Sequence, residues 1–299
     1  MLLQNPVLPI QLLETDETIQ AGVRLHLLRL DLTDETVSGN KWFKLKYNLQ
    51  HALEKSYSCV LSFGGAYSNH IHALAKTGSS LGIKTIGVIR GEPEYADNPT
   101  LRDAKAWGME LCFVNRQEYR QRHDSEYLKT LKARFSNPLI VPEGGSNKFA
   151  VQGAREIITP EILAKVNPDQ IVLASGTGGT LAGVALSVPD IPVLGIPVLK
   201  KADFLFSDIE NLMTESGADP TDNWDLDLEG HGGGYAKVSN DLIAFMDFML
   251  KEHQLPLDQI YTAKMLSHLL KRIERGDYAE GSTVLAIHTG GLQGARSLA

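Results

Sequence analysis

ASGTGGTLAGVAL, residues 174–186, closes an apolar run, crosses the five residues Gly176, Thr177, Gly178, Gly179 and Thr180, and resumes at helical spacing. A strand that empties through glycines into a helix is the usual connection of a parallel α/β sheet. Successive backbone N–H groups at such a helix start form a cradle for a phosphate. Thr177 and Thr180 add hydroxyl donors. No Gly-Lys-Ser/Thr follows, so this is not a nucleoside-triphosphate loop. A dinucleotide turn normally follows a strand early in the chain. The pattern fits a lone phosphate group, against the plainer alternative of a glycine-rich strand–helix turn.

Outward from that turn, short β-branched runs alternate with longer helical patterns. The runs predict strands at RLHLLRL (24–30), SCVLSFG (58–64), KTIGVIR (84–90), ELCFVN (110–115), PLIVPEG (138–144), QIVLASG (170–176), PVLGIPVL (192–199) and TVLAIHTG (283–290). Helical stretches such as SNHIHALAKTGSSLG and SNDLIAFMDFMLKEH lie between them. Alternation with buried strands predicts an α/β fold of parallel sheets flanked by helices. Four predicted strands end in glycine and hydroxyl residues: SFGGAYSN, PEGGSN, ASGTGGT and IHTGG. Open parallel sheets bind ligands beyond the carboxyl ends of their strands. The site is therefore expected to be assembled from several loops.

Composition narrows the function. The 299 residues are enough for two globular units, and a net charge of -7 argues against a nucleic-acid partner. The start, MLLQNPVLPIQLLETDE, lacks a basic leader, and the apolar stretch IPVLGIPVL (191–199) is too short to cross a bilayer. No membrane partner is expected. Two cysteines, Cys59 and Cys112, outside any metal-type spacing fit buried thiols in a reducing cytoplasm.

Two further stretches carry chemistry. In SFGGAYSNHIHALA (62–75), Ser68 and Asn69 fall at the N-cap of a helix, after Gly64 and Gly65 clear the preceding turn of side chains. A Ser-Asn pair there suits a carboxylate or phenolate oxygen. In SGNKWFKLKYNLQHAL (38–53), Lys41 and Lys44 stand at the start of an amphipathic helix. The positive end of the helix dipole repels a cation, so their placement needs a reason.

Lys41 followed by Phe43, Lys44 and Leu45, the SNH turn, the GGSN turn and the glycine-rich loop occur in one order. That order resembles pyridoxal-phosphate enzymes of the tryptophan synthase β-like fold (fold type II), and within them the D-cysteine desulfhydrase and 1-aminocyclopropane-1-carboxylate deaminase family. The resemblance runs from Asn40-Lys41 to the HTGG at 288–291. It implies pyridoxal 5'-phosphate as cofactor, with Lys41 forming the internal aldimine. It implies that Gly176, Thr177, Gly178, Gly179 and Thr180 hold the phosphate with Lys44 nearby, and that Asn69 meets the cofactor's 3′ oxygen. Thr289 would face the pyridine nitrogen, with Thr262 also on the cofactor side. Ser68, Asn69, His70, Tyr235 in GGGYAK and Tyr261 in QIYTAK would face the substrate, with Lys41, Ser68, Tyr235 and Tyr261 catalytic. A dry pocket and a neighbouring cation would keep the Lys41 amine neutral for attack on a carbonyl.

The resemblance also implies a small inserted domain over 55–146, a large domain from 1–54 and 147–299, and a homodimer. The chain departs from the family at Trp42, Phe43 and His72, where small or aliphatic residues and arginines are usual. After the second tyrosine the cyclopropane deaminases carry glutamate, whereas this chain has Thr262. The expected reaction is β-elimination from a D-cysteine-like amino acid to pyruvate and ammonia. Alternatives are ring opening of 1-aminocyclopropane-1-carboxylate to 2-oxobutyrate, β-replacement, and a non-catalytic cofactor-binding protein on the same scaffold.

Overall fold

The structure is a computed structural model that describes residues 5–34 and 37–297. All eight expected strands form, as β2 (Arg24–Arg29), β3 (Cys59–Gly65), β4 (Lys84–Arg90), β5 (Glu110–Val114), β6 (Leu139–Val141), β7 (Gln170–Ser175), β8 (Val193–Pro197) and β10 (Thr283–His288). Strand β6 is shorter than its apolar run, because the chain turns at Pro142 into a single 3-10 turn over Glu143–Gly145. Two strands were not expected. β1 (Ile10–Leu13) and β9 (Trp224–Leu226) are edge strands of four and three residues, too short to show a period.

The strands form two sheets, in the orders β1-β2-β10-β7-β8-β9 and β5-β4-β3-β6. Every pairing is parallel except β1 with β2. Parallel pairing explains the uninterrupted apolar strands: all six residues of TVLAIH in β10 are buried. Each sheet has an apolar cluster on either face. Among the described residues no helix is long and apolar enough to cross a membrane.

The helix Asn40–Glu54 ties the two sheets together. Phe43 enters the core of the larger sheet, whereas Leu45, Leu49 and Ala52 enter that of the smaller one. Trp42 packs against both. Phe43 is thus a core residue, buried completely, and does not shape a pocket.

Parallel order brings the carboxyl ends of β3 and β6 together in one sheet, and those of β7 and β10 together in the other. The four glycine-bearing turns consequently face one another across the gap. The Ser146 hydroxyl, beyond β6, lies 2.5 Å from the Thr177 hydroxyl beyond β7. On the far side of the Asn40–Glu54 helix, Lys148–Ala154 packs so closely that a Cβ at Gly153 would lie 1.9 Å from the Phe43 carbonyl oxygen. Gly153→Ala is expected to cost about 1–3 kcal/mol or more, the scale of overpacking in a close-packed core. Thermal unfolding of the variant measures it.

Candidate active site

The lysine-bearing helix starts where a side chain cannot fit. Gly39 has φ +79°, and a Cβ there would sit 2.1 Å from the Thr289 carbonyl oxygen. The backbone N–H of Asn40 donates to that same oxygen at 3.1 Å, which docks the helix on the end of β10. The Asn40 amide then reaches the Thr180 hydroxyl at 2.8 Å, and its oxygen accepts from Lys41 Nζ at 2.7 Å. Asn40 therefore joins the lysine to the glycine-rich loop, a role its place beside Lys41 did not by itself disclose.

Burial pushes the Lys41 amine down to about 8, with the Asp258 carboxylate acting weakly the other way. Lys44 is held well below the usual lysine range by burial first and by the charge of Lys41 second. The expected help from Lys44 in depressing Lys41 therefore runs in the opposite direction, and removal from water does most of the work at both.

Lys44 Nζ donates to Ser146 Oγ at 2.8 Å and lies 3.5 Å from Thr177 Oγ1, and no carboxylate among the described residues pairs with it. Gly178, with φ +74°, opens the helix Gly179–Ser187 beside it. A Cβ at Gly179 would sit 2.8 Å from Ser146 Oγ and 3.3 Å from Lys44 Nζ. A buried lysine with hydroxyl partners, backbone N–H groups at a helix start and a glycine floor make a donor set suited to a phosphate dianion. These residues fit pyridoxal phosphate. Ser146 belongs to the cradle although only the GGSN motif as a whole pointed to it.

Ser68 caps the helix Asn69–Leu81, its Oγ accepting from Ile71 N at 3.3 Å. Asn69 accepts at Oδ1 from Gln293 Nε2. His70, expected on the substrate side, instead lies beneath the cradle. Its Nε2 is 2.8 Å from Ser62 Oγ, which itself donates to the Val141 carbonyl, so Nε2 carries the proton. Burial first, then the charges of Lys41 and Lys44, keep this ring neutral. A Cβ at Gly145 would lie 3.1 Å from its Nδ1. His72 is also buried, edge-on to Trp107 and 3.2 Å from Asp103, a carboxylate it shares with Arg296.

Tyr261 and Tyr235 meet edge to face, with ring centroids 6.3 Å apart. The Tyr261 ring lies against Gly176, where a Cβ would be 3.0 Å from Cε1. Burial raises both phenols, so both hydroxyls stay protonated. Tyr235 rides on a loop anchored by buried Lys264, whose Nζ donates to the Gly234 carbonyl at 2.6 Å. Thr262 is a correction. Its hydroxyl donates to Asp258 Oδ1 and accepts from Asp258 N, 2.8 and 2.9 Å away, which leaves no proton for a cofactor. Asp258 caps this turn, accepting from the N–H groups of Ile260, Tyr261 and Thr262. Thr289 is buried at the end of β10, and its hydroxyl bonds to none of the described residues.

Lys41 and Asn69 share a cavity of about 380 Å³ with Ser38, Gly291 and Gln293, between the two sheets. A larger depression, about 570 Å³, lies on the surface at the other end of the lysine helix among His51, Tyr57 and Asn137 and holds none of these groups.

The family described as pyridoxal-phosphate dependent enzyme matches residues 3–290. The chain belongs to that family. It is 29% identical over 285 residues to a putative 1-aminocyclopropane-1-carboxylate deaminase of Pyrococcus horikoshii, covering 92% of this chain and 86% of the relative. It is 25% identical to the D-cysteine desulfhydrase of Yersinia enterocolitica, covering 90% and 87%. A bifunctional enzyme of Arabidopsis thaliana whose name joins both activities is 27% identical, covering 91% and 73%. Among solved structures, that of a 1-aminocyclopropane-1-carboxylate deaminase homologue superposes with a TM-score of 0.83 at 28% identity, covering 98% of this chain and 92% of that one. Like other members of its family, this pyridoxal-phosphate dependent enzyme uses that cofactor.

Inorganic phosphate should raise the unfolding midpoint of the cofactor-free enzyme, because it binds the folded cradle and not the unfolded chain. Lys44→Gln should weaken that binding by roughly tenfold, the scale of one charge-assisted hydrogen bond. Thermal shift against phosphate concentration measures both.

Proposed function

We propose that this enzyme eliminates the β-substituent of a small amino acid of the D-cysteine type, releasing pyruvate and ammonia, with sulfide from D-cysteine. The observation that carries the reading is the chemistry at the carboxyl end of β10. The side chain there is the Thr289 hydroxyl, position 262 is threonine, and the neighbouring Asp258 carboxylate is taken up by its turn. A hydroxyl, unlike a carboxylate, does not keep a facing ring nitrogen protonated. Negative charge at the substrate Cα is then poorly stored, and a β-leaving group departs promptly.

When bound, pyridoxal phosphate supplies the electron sink. In this reading Lys41 would hold the cofactor, and its amine would take the substrate Cα proton, a role suited to a group held at about 8. Ser68 and the helix start at Asn69 receive the substrate carboxylate, which the helix dipole favours. Tyr261 and Tyr235, kept protonated by burial, orient the substrate and donate protons. Gly176–Thr180, Ser146 and Lys44 would hold the phosphate, Asn69 the phenolic oxygen and Thr289 the ring nitrogen. The inserted unit 55–146 closes against the rest to exclude water. Cys59 and Cys112, both free and buried, accord with a reducing compartment.

Ring opening of 1-aminocyclopropane-1-carboxylate is the second reading, favoured by the name of the Pyrococcus horikoshii relative. Thr262 stands against it, since the deaminase pattern has glutamate there.

Three measurements test the proposal. Borohydride should fix the cofactor to Lys41, and Lys41→Ala should lose both that label and turnover. Attachment of pyridoxal phosphate to the cofactor-free enzyme should accelerate as pH rises through about 8, because only the neutral amine attacks. Label on Lys44 would refute the assignment. Parallel keto-acid assays should show faster release from D-cysteine or β-chloro-D-alanine than from the cyclopropane substrate, and the reverse order would establish the second reading.

A further inference from the structure

We propose that Gln293 is a positioning residue that turns the Asn69 side chain so that its NH2 end, and not its oxygen, faces the phenolic oxygen of the cofactor. The inference rests on the cofactor placement proposed above.

Gln293 belongs to the short 3-10 segment Leu292–Ser297, which follows the Thr289-Gly290-Gly291 turn. Four groups bracket its amide. Thr100 Oγ1 approaches Oε1 at 2.7 Å and Arg296 Nη2 at 3.4 Å. Nε2 reaches the Tyr67 carbonyl at 3.4 Å and Asn69 Oδ1. A guanidinium only donates and a backbone carbonyl only accepts, so the Gln293 amide has one consistent orientation. Its nitrogen donates to Asn69, and Asn69 must answer with its oxygen.

The two ends of an asparagine amide are nearly the same shape, so packing alone does not choose between them. Here the choice is made by hydrogen-bond polarity, passed from Arg296 and the Tyr67 carbonyl through Gln293 to Asn69. Arg296 is itself held by Asp103 at 2.7 Å, and Thr100 is completely buried. Gly291 leaves space for the chosen end, since a Cβ there would lie 3.0 Å from Asn69 Nδ2. A phenolate oxygen can only accept. With Nδ2 forward, Asn69 gives it a charge-assisted hydrogen bond, and with Oδ1 forward two acceptors would repel each other.

The test uses the holoenzyme, with borohydride trapping at Lys41 in the wild type as its first step. Gln293→Glu presents only acceptors at neutral pH and should reverse Asn69. Cofactor affinity should fall by roughly tenfold, the scale of one hydrogen bond to a charged group. The bound cofactor should also carry more of its proton on the phenolic oxygen, seen as a near-ultraviolet band growing at the expense of the visible one. Gln293→Met removes the brace without reversing it, so its affinity should fall by only about threefold, with the visible band kept. A wild-type spectrum in Gln293→Glu, or equal losses in the two variants, would overturn the proposal. If Gln293→Glu does not fold, Gln293→Met decides, and wild-type affinity there overturns it. Failure to trap the cofactor at Lys41 in the wild type would instead refute the placement on which the inference rests.

Discussion

The contact between Gly39 and the end of β10 is the constraint on which the rest of the site depends. No side chain fits between Gly39 and the Thr289 carbonyl, and the following N–H donates to that oxygen. The lysine helix is therefore registered against the larger sheet at its first residue. From that start Asn40 reaches Thr180, and Lys41 and Lys44, three residues apart, share a helix face. Larger residues at 39 would move both lysines at once.

Two lysines brought together away from water, with no acid beside Lys44 among the described residues, are poised to lose protons or gain an anion. Desolvation depresses both, and this explains cations at a helix start that repels them. The acidic residues nearby are otherwise engaged. Asp258 is bound into its own turn, and Asp31 is clasped by Arg29 and lies 3.2 Å from His288. An arriving phosphate meets hydroxyls, N–H groups and the Lys44 amine already in place, with little reorganisation.

The cleft between the sheets has two unlike sides. Tyr235 stands at one, on a loop whose carbonyl is gripped by buried Lys264. On the other, Gln293 and Arg296 bind the chain beyond β10 to the helices Asn69–Leu81 and Pro99–Ala106 over the smaller sheet. The cleft is thereby braced from both bodies, and small residues such as Gly145 and Gly179 keep their approach close.

Local pattern was sufficient for the eight expected strands, the helix cap at Ser68, and the glycine-rich turns, because each depends on neighbours in sequence. The order of those turns carried the cofactor family as well. Edge strands β1 and β9 escaped it, being held by pairing rather than by their own period. Side-chain direction escaped it too. His70 follows Ser68 and Asn69 directly yet turns beneath the cradle to Ser62, and Thr262 follows Tyr261 yet closes on Asp258. Asn40, Ser146, Lys264 and Gln293 gain their roles from partners 30 to 224 residues away. A strand, a cap or a glycine turn is written in adjacent residues, whereas the partner of a buried polar group is set by whichever distant segment folds against it.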